Sequence, residues 1–112
     1  MTDWKTALQH EFEMAEAARL RGNEGQARVC ARRAAGIALR EYFSRHGVIA
    51  RSPSVYDLLQ EFIRREDVPP DLREIAVHLT LRVTEEFKLP LDVNLVQEAR
   101  VLCERLLPAD QR

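Results

Sequence analysis

Residues 23–47 constrain the fold more than any other stretch of the chain. Asn23 can cap a helix through its side-chain oxygen, and Gln26, three residues later, can complete a capping box. Gly47 suits the left-handed conformation that often follows a helix. Between these ends, small or apolar residues recur at helical spacing: Ala27, Cys30, Ala31, Ala34, Ile37 and Ala38. Because so little side-chain bulk lets neighbours approach closely, we predict a central helix that contacts more than one other helix.

Glycine in the middle of this stretch supports the same interpretation. Gly36 costs about 1 kcal/mol relative to alanine inside a helix, which indicates a packing reason for its presence. Arginines occupy much of the remaining surface of the predicted helix. We therefore expect a close neighbour at Gly36 and a basic outer side.

The stretch before it predicts another helix, which opens at Thr2 or Asp3 and ends at Gly22. Its apolar face consists of Trp4, Ala7, Leu8, Phe12, Ala15 and Ala18. The turn between the two helices is very short, so we expect them to be antiparallel neighbours.

A third, short helix follows a loop and has two possible starts. Ser52 can be the cap, with Pro53 at the first helical position, or Ser54 can cap with Asp57 three residues later. The pair Pro69-Pro70 breaks this helix.

Two further helices complete an all-α, up-and-down bundle of four to five helices. The fourth is predicted from Asp71 to Phe87 and the last from about Val93 to Leu107. Sustained alternation of apolar and polar residues, the signal of a strand, is absent from the sequence. With 112 residues, the chain predicts one domain, residues 1–107, and a short tail, residues 108–112.

The composition favours some partners over others. A net charge of −1 does not indicate nucleic acid or an anionic membrane. Nearly all basic residues are arginines, which suit bidentate contacts with carboxylates and phosphates, but glutamates are interleaved with them, which favours solvated ion pairs. The arginines of the second helix, Arg32, Arg33 and Arg40, are the candidates for a basic binding surface.

The cysteines, the metal motifs and the hydropathy also limit the function. Cys30 and Cys103 lie in apolar helical patterns, so we expect both to be small buried residues in a reducing cytosol rather than a disulfide. Motifs for a metal or a phosphate loop are absent from the sequence, and we predict no metal and no cofactor. A signal peptide and a long apolar run are absent too, which predicts a cytoplasmic protein that does not enter the membrane.

Several short patterns follow one another along the chain: Trp4-x-x-Ala7, Gly22-Asn23-Glu24, Ala38-Leu39-Arg40-Glu41-Tyr42-Phe43, Tyr56-Asp57-Leu58-Leu59, Pro90-Leu91-Asp92 and Glu98-Ala99-Arg100. In this order and spacing they resemble a HEPN domain (the higher eukaryotes and prokaryotes nucleotide-binding family), over about Trp4 to Leu107. The resemblance implies a homodimer and a nucleotide, an RNA or a nucleotidyltransferase-like protein as partner. Two positions depart from the family. Tyr56 stands where relatives often carry His, and Phe87-Lys88-Leu89-Pro90 stands where they often carry Arg-Tyr-Pro.

Many HEPN members are ribonucleases that carry Arg, four to six residues, and then His. Two pairs match this spacing, Arg40 with His46 and Arg73 with His78. In such a pair, His would take the 2′-hydroxyl proton of RNA and Arg would hold the phosphate in the transition state. The alternative interpretation makes His46 a residue of a helix C-terminus and His78 a partly buried polar residue.

Three functions are therefore carried forward as hypotheses. The first is a non-catalytic HEPN-like interaction domain that self-associates. The second is a metal-independent endoribonuclease that uses one of the Arg and His pairs. The third is a purely structural helical adaptor.

Overall fold

Five helices make up the part of the chain that the structure, a computed structural model, describes, namely residues 3–48, 54–81 and 94–107. They are α1 (Trp4–Leu20), α2 (Glu24–Arg45), α3 (Val55–Arg64), α4 (Pro70–Thr80) and α5 (Leu95–Leu106). Strands are absent from these described residues. The predicted all-α helical bundle is confirmed, and the predicted tail, residues 108–112, lies outside the described part.

The helix starts follow local capping chemistry. The Asp3 carboxylate accepts the Thr6 N–H at 2.7 Å, and the Asn23 side chain accepts the Gln26 N–H at 3.0 Å. The reciprocal half of the expected capping box is not formed, because the Asn23 N–H donates to the Ala18 carbonyl, at 2.8 Å, rather than to the Gln26 side chain. These starts confirm the caps predicted for α1 and α2.

Of the two starts considered for α3, the structure has Ser54, whose hydroxyl accepts the Asp57 N–H at 3.4 Å. The alternative start at Ser52 and Pro53 lies outside the described residues. Gly47 has a φ of +70°, so the left-handed residue expected after α2 is confirmed.

Helix α2 is the centre of the bundle, as its small residues predicted. It packs against α1, α3 and α5. The residues that it buries are mostly alanines, together with Leu39 and Phe43: Ala27, Cys30, Ala31, Ala34, Ala35, Gly36, Ala38, Leu39 and Phe43. At Gly36, a Cβ atom would lie 2.6 Å from Cγ2 of Val55. The expected packing reason for this glycine is therefore the close approach of the start of α3.

Helix α4 ends earlier than predicted. The prediction that it continues to Phe87 is wrong, because α4 stops at Thr80 and Leu81 is extended, with φ −68° and ψ 141°. At this end the Arg32 guanidinium of α2 donates to the carbonyls of Leu79 and Leu81, so it supplies donors to carbonyls that a continuing helix would have bonded internally. The remainder of the predicted segment, residues 82–87, lies outside the described part.

The last helix is close to its predicted extent. It begins at Leu95, where Asn94 accepts the Gln97 N–H at 3.1 Å, and ends at Leu106. Val93, the predicted start, lies outside the described residues. The largest fully buried side chains of the core come from α2 to α5: Phe43, Phe62, Leu39, Leu59, Leu79, Leu95 and Leu102. Both α1 and α5 pack on α2.

Candidate functional site

Arg73 and His78 both lie on α4, but their side chains contact different parts of the bundle. Five positions on an α-helix turn about 140° around its axis. Arg73 Nε and Nη2 donate to the carbonyls of Ile63 and Arg65, at 3.1 and 2.7 Å, where α3 ends. His78 faces α5 instead, where its Nδ1 lies 2.7 Å from Oε1 of Glu98. The structure therefore does not bring this Arg and His together at one site.

His78 is buried, with only 8% of its surface exposed, and it connects α4 to α5. Its Nδ1–H donates to the Glu98 carboxylate, and its Nε2 lies 3.7 Å from a carboxylate oxygen of Glu74, one turn earlier on α4. A buried imidazole held in this way fixes the packing of two helices. This arrangement agrees with the alternative interpretation of His78 as a buried polar residue.

Replacing His78 with alanine is expected to lower the free energy of unfolding by about 2 kcal/mol, because Glu98 loses its partner and a void remains between α4 and α5. Urea unfolding of the wild type and the variant measures the loss. The matched control is His10→Ala, at an exposed position of α1, which is expected to change stability by less than about 0.5 kcal/mol. Equal effects of the two substitutions would contradict this role of His78.

The second pair, Arg40 and His46, is also separated. Arg40 is exposed on α2, whereas His46 caps the C-terminus of that helix. His46 Nδ1 lies 2.8 Å from the Tyr42 carbonyl oxygen, and its ring centroid lies 4.2 Å from that of Tyr42. Arg40 and His46 are six positions apart, which separates them by about 120° around the helix axis. The imidazole is thus engaged with its own helix end.

The three arginines proposed as a binding surface do not share one side of α2. Arg33 and Arg40 are exposed and lie two turns apart, within about 20° of each other around the helix. Arg32 is half-buried and turned toward the end of α4, where it binds the carbonyls of Leu79 and Leu81. Two of the candidates therefore share an exposed face, and the third is part of the framework.

Tyr56, at the position where HEPN relatives often carry His, is 48% exposed at the start of α3. It lines a pocket of about 310 Å³ together with Arg32 and Thr80. Because the Arg32 guanidinium is engaged with α4 carbonyls, this pocket presents a phenol ring beside a structural cation.

Both cysteines are free and buried, as the sequence predicted. Cys103 Sγ lies 3.9 Å from the Ala34 carbonyl oxygen, and burial raises the pKa of its thiol to about 12. Among residues 3–48, 54–81 and 94–107, no three His, Cys, Asp or Glu side chains form a group that could hold a metal ion.

Neither thiol is therefore expected to react with a water-soluble disulfide reagent in the folded protein, since both cysteine residues are buried. Both are expected to react in urea. Absorbance of the released thiolate counts them. The control variant Ser44→Cys places a thiol at an exposed position of α2 and should react at once. Rapid labelling of native wild type would contradict the burial.

The sequence analysis missed a groove of about 700 Å³ between α1 and α5. Its apolar lining comes from both helices: Trp4, Leu8, Phe12, Ala17, Leu20, Cys103 and Leu107. Its polar residues are Lys5, Gln9, Glu13, Glu16, Arg100 and Glu104. We call this feature the α1–α5 groove.

Polar contacts across the α1–α5 groove show how the two helices are oriented. Arg100 of α5 donates to the Glu16 carboxylate of α1 at 3.0 Å, and its guanidinium lies 4.4 Å from the Phe12 ring centroid. Arg19, near the C-terminal end of α1, donates to Asn94, the cap of α5, at 2.7 Å. The C-terminal end of α1 is therefore held beside the start of α5, and the two helices run in opposite directions.

Leu20 is the most exposed large apolar side chain of the described residues, with 90% of its surface accessible, and it lies in the α1–α5 groove. The apolar face predicted for α1 did not include it, because Leu20 lies about 140° around the helix from Ala15, at the centre of that face. Met14 is also a large apolar residue outside that face and does not line the groove, so this feature of the sequence did not specify the groove.

Comparison with family models, with curated proteins and with solved structures found no match to the chain. The HEPN resemblance therefore stays a prediction. Among the described helices, none combines the length and the apolar character that crossing a bilayer requires.

Proposed function

We propose that the chain is a non-catalytic helical interaction domain that binds a protein helix in the α1–α5 groove. The observation that carries the proposal is the apolar lining of this open groove, in which Leu20 is almost fully exposed. Exposed apolar patches of this kind mark interaction sites in water-soluble domains. A groove between two helices is also a common site for an amphipathic helix of a partner.

The engagement of the candidate catalytic groups favours binding over RNA cleavage. A ribonuclease would need a cation that is available for phosphate and an imidazole that can reach a hydroxyl. Arg73 donates to two backbone carbonyls, and His78 is buried against Glu98. Catalysis by this pair would require both contacts to break.

The charges of the α1–α5 groove favour a protein over a nucleotide or an RNA. Three glutamates line it, against Lys5 and Arg100, and Arg100 is already paired with Glu16. Phosphate groups would be repelled by this lining. Of the partners that the HEPN resemblance implies, we therefore retain self-association and a protein partner such as a nucleotidyltransferase-like chain, in the cytoplasm, where free buried cysteines persist.

The proposal is tested with Nile red, an uncharged dye whose fluorescence rises in an apolar environment, at low protein concentration. Wild type is expected to bind the dye, and Leu20→Glu is expected to bind several-fold less, because a charge enters the groove. The matched control is Met14→Glu, at another exposed apolar residue of α1 that does not line the groove. Undiminished dye binding by Leu20→Glu would overturn the proposal.

The ribonuclease hypothesis is tested in a separate experiment. Purified wild type is expected to leave single-stranded RNA intact in the presence of a chelator. RNA cleavage that is lost in His78→Gln or His46→Ala, with both variants folded by circular dichroism, would overturn the non-catalytic assignment.

A further inference from the structure

We infer that the helix bound in the α1–α5 groove belongs to a different protein and is basic and amphipathic, with lysines or arginines on both sides of an apolar face. This inference rests on the proposed function and names the partner by its chemistry. The apolar face of the partner would lie on the apolar lining of the groove. Its basic side chains would reach carboxylates on the two rims, which are the outer edges of the groove on α1 and on α5.

The α1–α5 groove has the length of a partner helix of about 17 residues. Trp4 and Leu20, the first and last residues of α1, both line it, and a helix of this length extends over about 24 Å. Leu8 and Phe12 of α1 and Cys103 of α5 contribute to the lining between these ends. A helix that fills the groove can therefore place an apolar residue on this lining at every third or fourth position.

Two exposed carboxylates stand on opposite rims of the groove. Glu13 directly follows Phe12 in α1, and Glu104 directly follows Cys103 in α5. Each glutamate is therefore turned about 100° around its helix from a residue of the apolar lining. Both rims thus offer a carboxylate to the cations of a helix that lies between them.

The register of the two helices brings these carboxylates close together along the groove. Arg100 of α5 contacts both Phe12 and Glu16 of α1. Because α1 and α5 run in opposite directions, Glu104, one turn after Arg100, lies beside the turn of α1 that precedes Phe12. It is then within about one turn of Glu13 along the groove axis, so one short segment of a partner helix can reach both.

Both carboxylates are available for a partner. In the part of the chain that the structure describes, Glu13 accepts one hydrogen bond, from the neutral Gln9 amide at 3.1 Å, and Glu104 has no ion-pair partner. Glu16, by contrast, is already paired with Arg100. The lining therefore retains an uncompensated negative charge on each rim, which favours a basic partner.

A second copy of α1 fits this lining less well than a basic helix does. Helix α1 carries three glutamates, Glu11, Glu13 and Glu16, against the two cations Lys5 and Arg19. Arg19 is already bound to groups of its own chain. A second α1 would therefore bring carboxylates to a groove whose free charges are mainly carboxylates, which is unfavourable.

Binding of two model peptides, followed by the fluorescence anisotropy of a label, tests the inference. Both peptides have about 18 residues, with leucines at helical spacing on one face. The remaining positions are lysines in the first peptide and glutamates in the second. Wild type is expected to bind the leucine–lysine peptide about tenfold more tightly, or better, because each rim presents a carboxylate. High salt concentration should reduce this difference.

Substitutions on the rims test which groups select the peptide. Glu13→Gln/Glu104→Gln is expected to weaken binding of the leucine–lysine peptide by about fivefold, and Glu13→Lys/Glu104→Lys is expected to reverse the preference. The matched control Glu11→Gln/Glu66→Gln removes the same charge outside the groove and should bind like wild type. Leu20→Gln should weaken binding of both peptides, since it removes apolar surface from the groove.

Equal binding of the two peptides, or an equal loss in the rim variant and in its control, would overturn the inference. If both peptides bind equally and Leu20→Gln weakens both, the groove still binds a helix and only the inference fails. If neither peptide binds, the inference fails, and Nile red then shows whether the proposed function fails with it. Wild-type dimers that Leu20→Gln dissociates would identify a second copy as the occupant and would overturn the inference too.

Discussion

Replacing Arg32 with alanine is expected to lower the free energy of unfolding by about 3 kcal/mol. The guanidinium donates from Nε to the Leu79 carbonyl at 2.9 Å and from Nη2 to the Leu81 carbonyl, so the variant leaves two carbonyls at the end of α4 without these donors. Hydrogen bonds from a charged donor contribute about 1.5–3 kcal/mol each, and the effects of two that share one side chain do not add fully. The contact also connects α2 to a helix end 47 positions later in the chain.

Urea unfolding followed by circular dichroism measures this loss. Arg33→Ala is the matched control, since Arg33 is the next residue of the same helix and is exposed, and its effect is expected to stay within about 0.5 kcal/mol. Arg32→Lys is expected to recover less than half of the loss, because one ammonium cannot reproduce a forked pair of donors. A wild-type midpoint for Arg32→Ala would show that α4 ends without help from α2.

Replacing Gly36 with leucine is expected to destabilise the protein by a similar amount, about 3 kcal/mol. Even the first added atom, Cβ, would lie 2.6 Å from Cγ2 of Val55 and 3.4 Å from its Cγ1. Overpacking typically costs about 1–3 kcal/mol, occasionally more, and it outweighs the gain of somewhat under 1 kcal/mol in helix propensity. Val55 is β-branched, so it cannot easily rotate away. The start of α3 must move to admit the new side chain.

A substitution at Val55 tests whether this residue is the cause of the destabilisation expected at Gly36. Gly36→Ala is expected to destabilise the wild type but to be neutral or stabilising in a Val55→Ala background, where the opposing methyl groups are absent. Gly25→Ala is the control, because a Cβ there meets only the Asn23 side-chain oxygen, at an ordinary 3.8 Å. It is expected to stabilise the protein by about 0.5 kcal/mol. Equal effects of Gly36→Ala in both backgrounds would exclude Val55 as the reason for the glycine.

The helix starts could be predicted from the sequence because their signals are local. Asn23 and Ser54 accept N–H groups only three residues away, so a short window of sequence contains both partners. Ion pairs between neighbouring arginines and glutamates were predictable for the same reason, and Arg45 with Glu41 is one of them.

The end of α4 could not be predicted in this way. Its own periodicity continues past Thr80, and the residue that ends the helix, Arg32, belongs to α2. The sequence placed Arg32 among the binding candidates because side-chain type alone does not distinguish a cation that binds carbonyls from one that is available for a ligand. The same holds for Arg73, which donates to the end of α3.

The α1–α5 groove was missed for a related reason. Apolar periodicity identifies the side of a helix that meets the core, but it does not reveal a gap between two helices that both pack on a third. That gap depends on how α1 and α5 are spaced above α2, which is a property of the assembled bundle. Leu20, an apolar residue outside the core face, lies in this gap, whereas Met14, which is also outside that face, does not.

Two arginines that bind the C-terminal ends of other helices also affect how the protein unfolds locally. Arg32 of α2 holds the end of α4, and Arg73 of α4 holds the end of α3. Fraying at the end of α4 breaks its contact with Arg32 of α2, and fraying at the end of α3 breaks its contact with Arg73 of α4. Amide protons near both ends should therefore exchange with solvent as one cooperative unit. The end of α4 is therefore fixed only while α2 is formed, and the end of α3 only while α4 is formed.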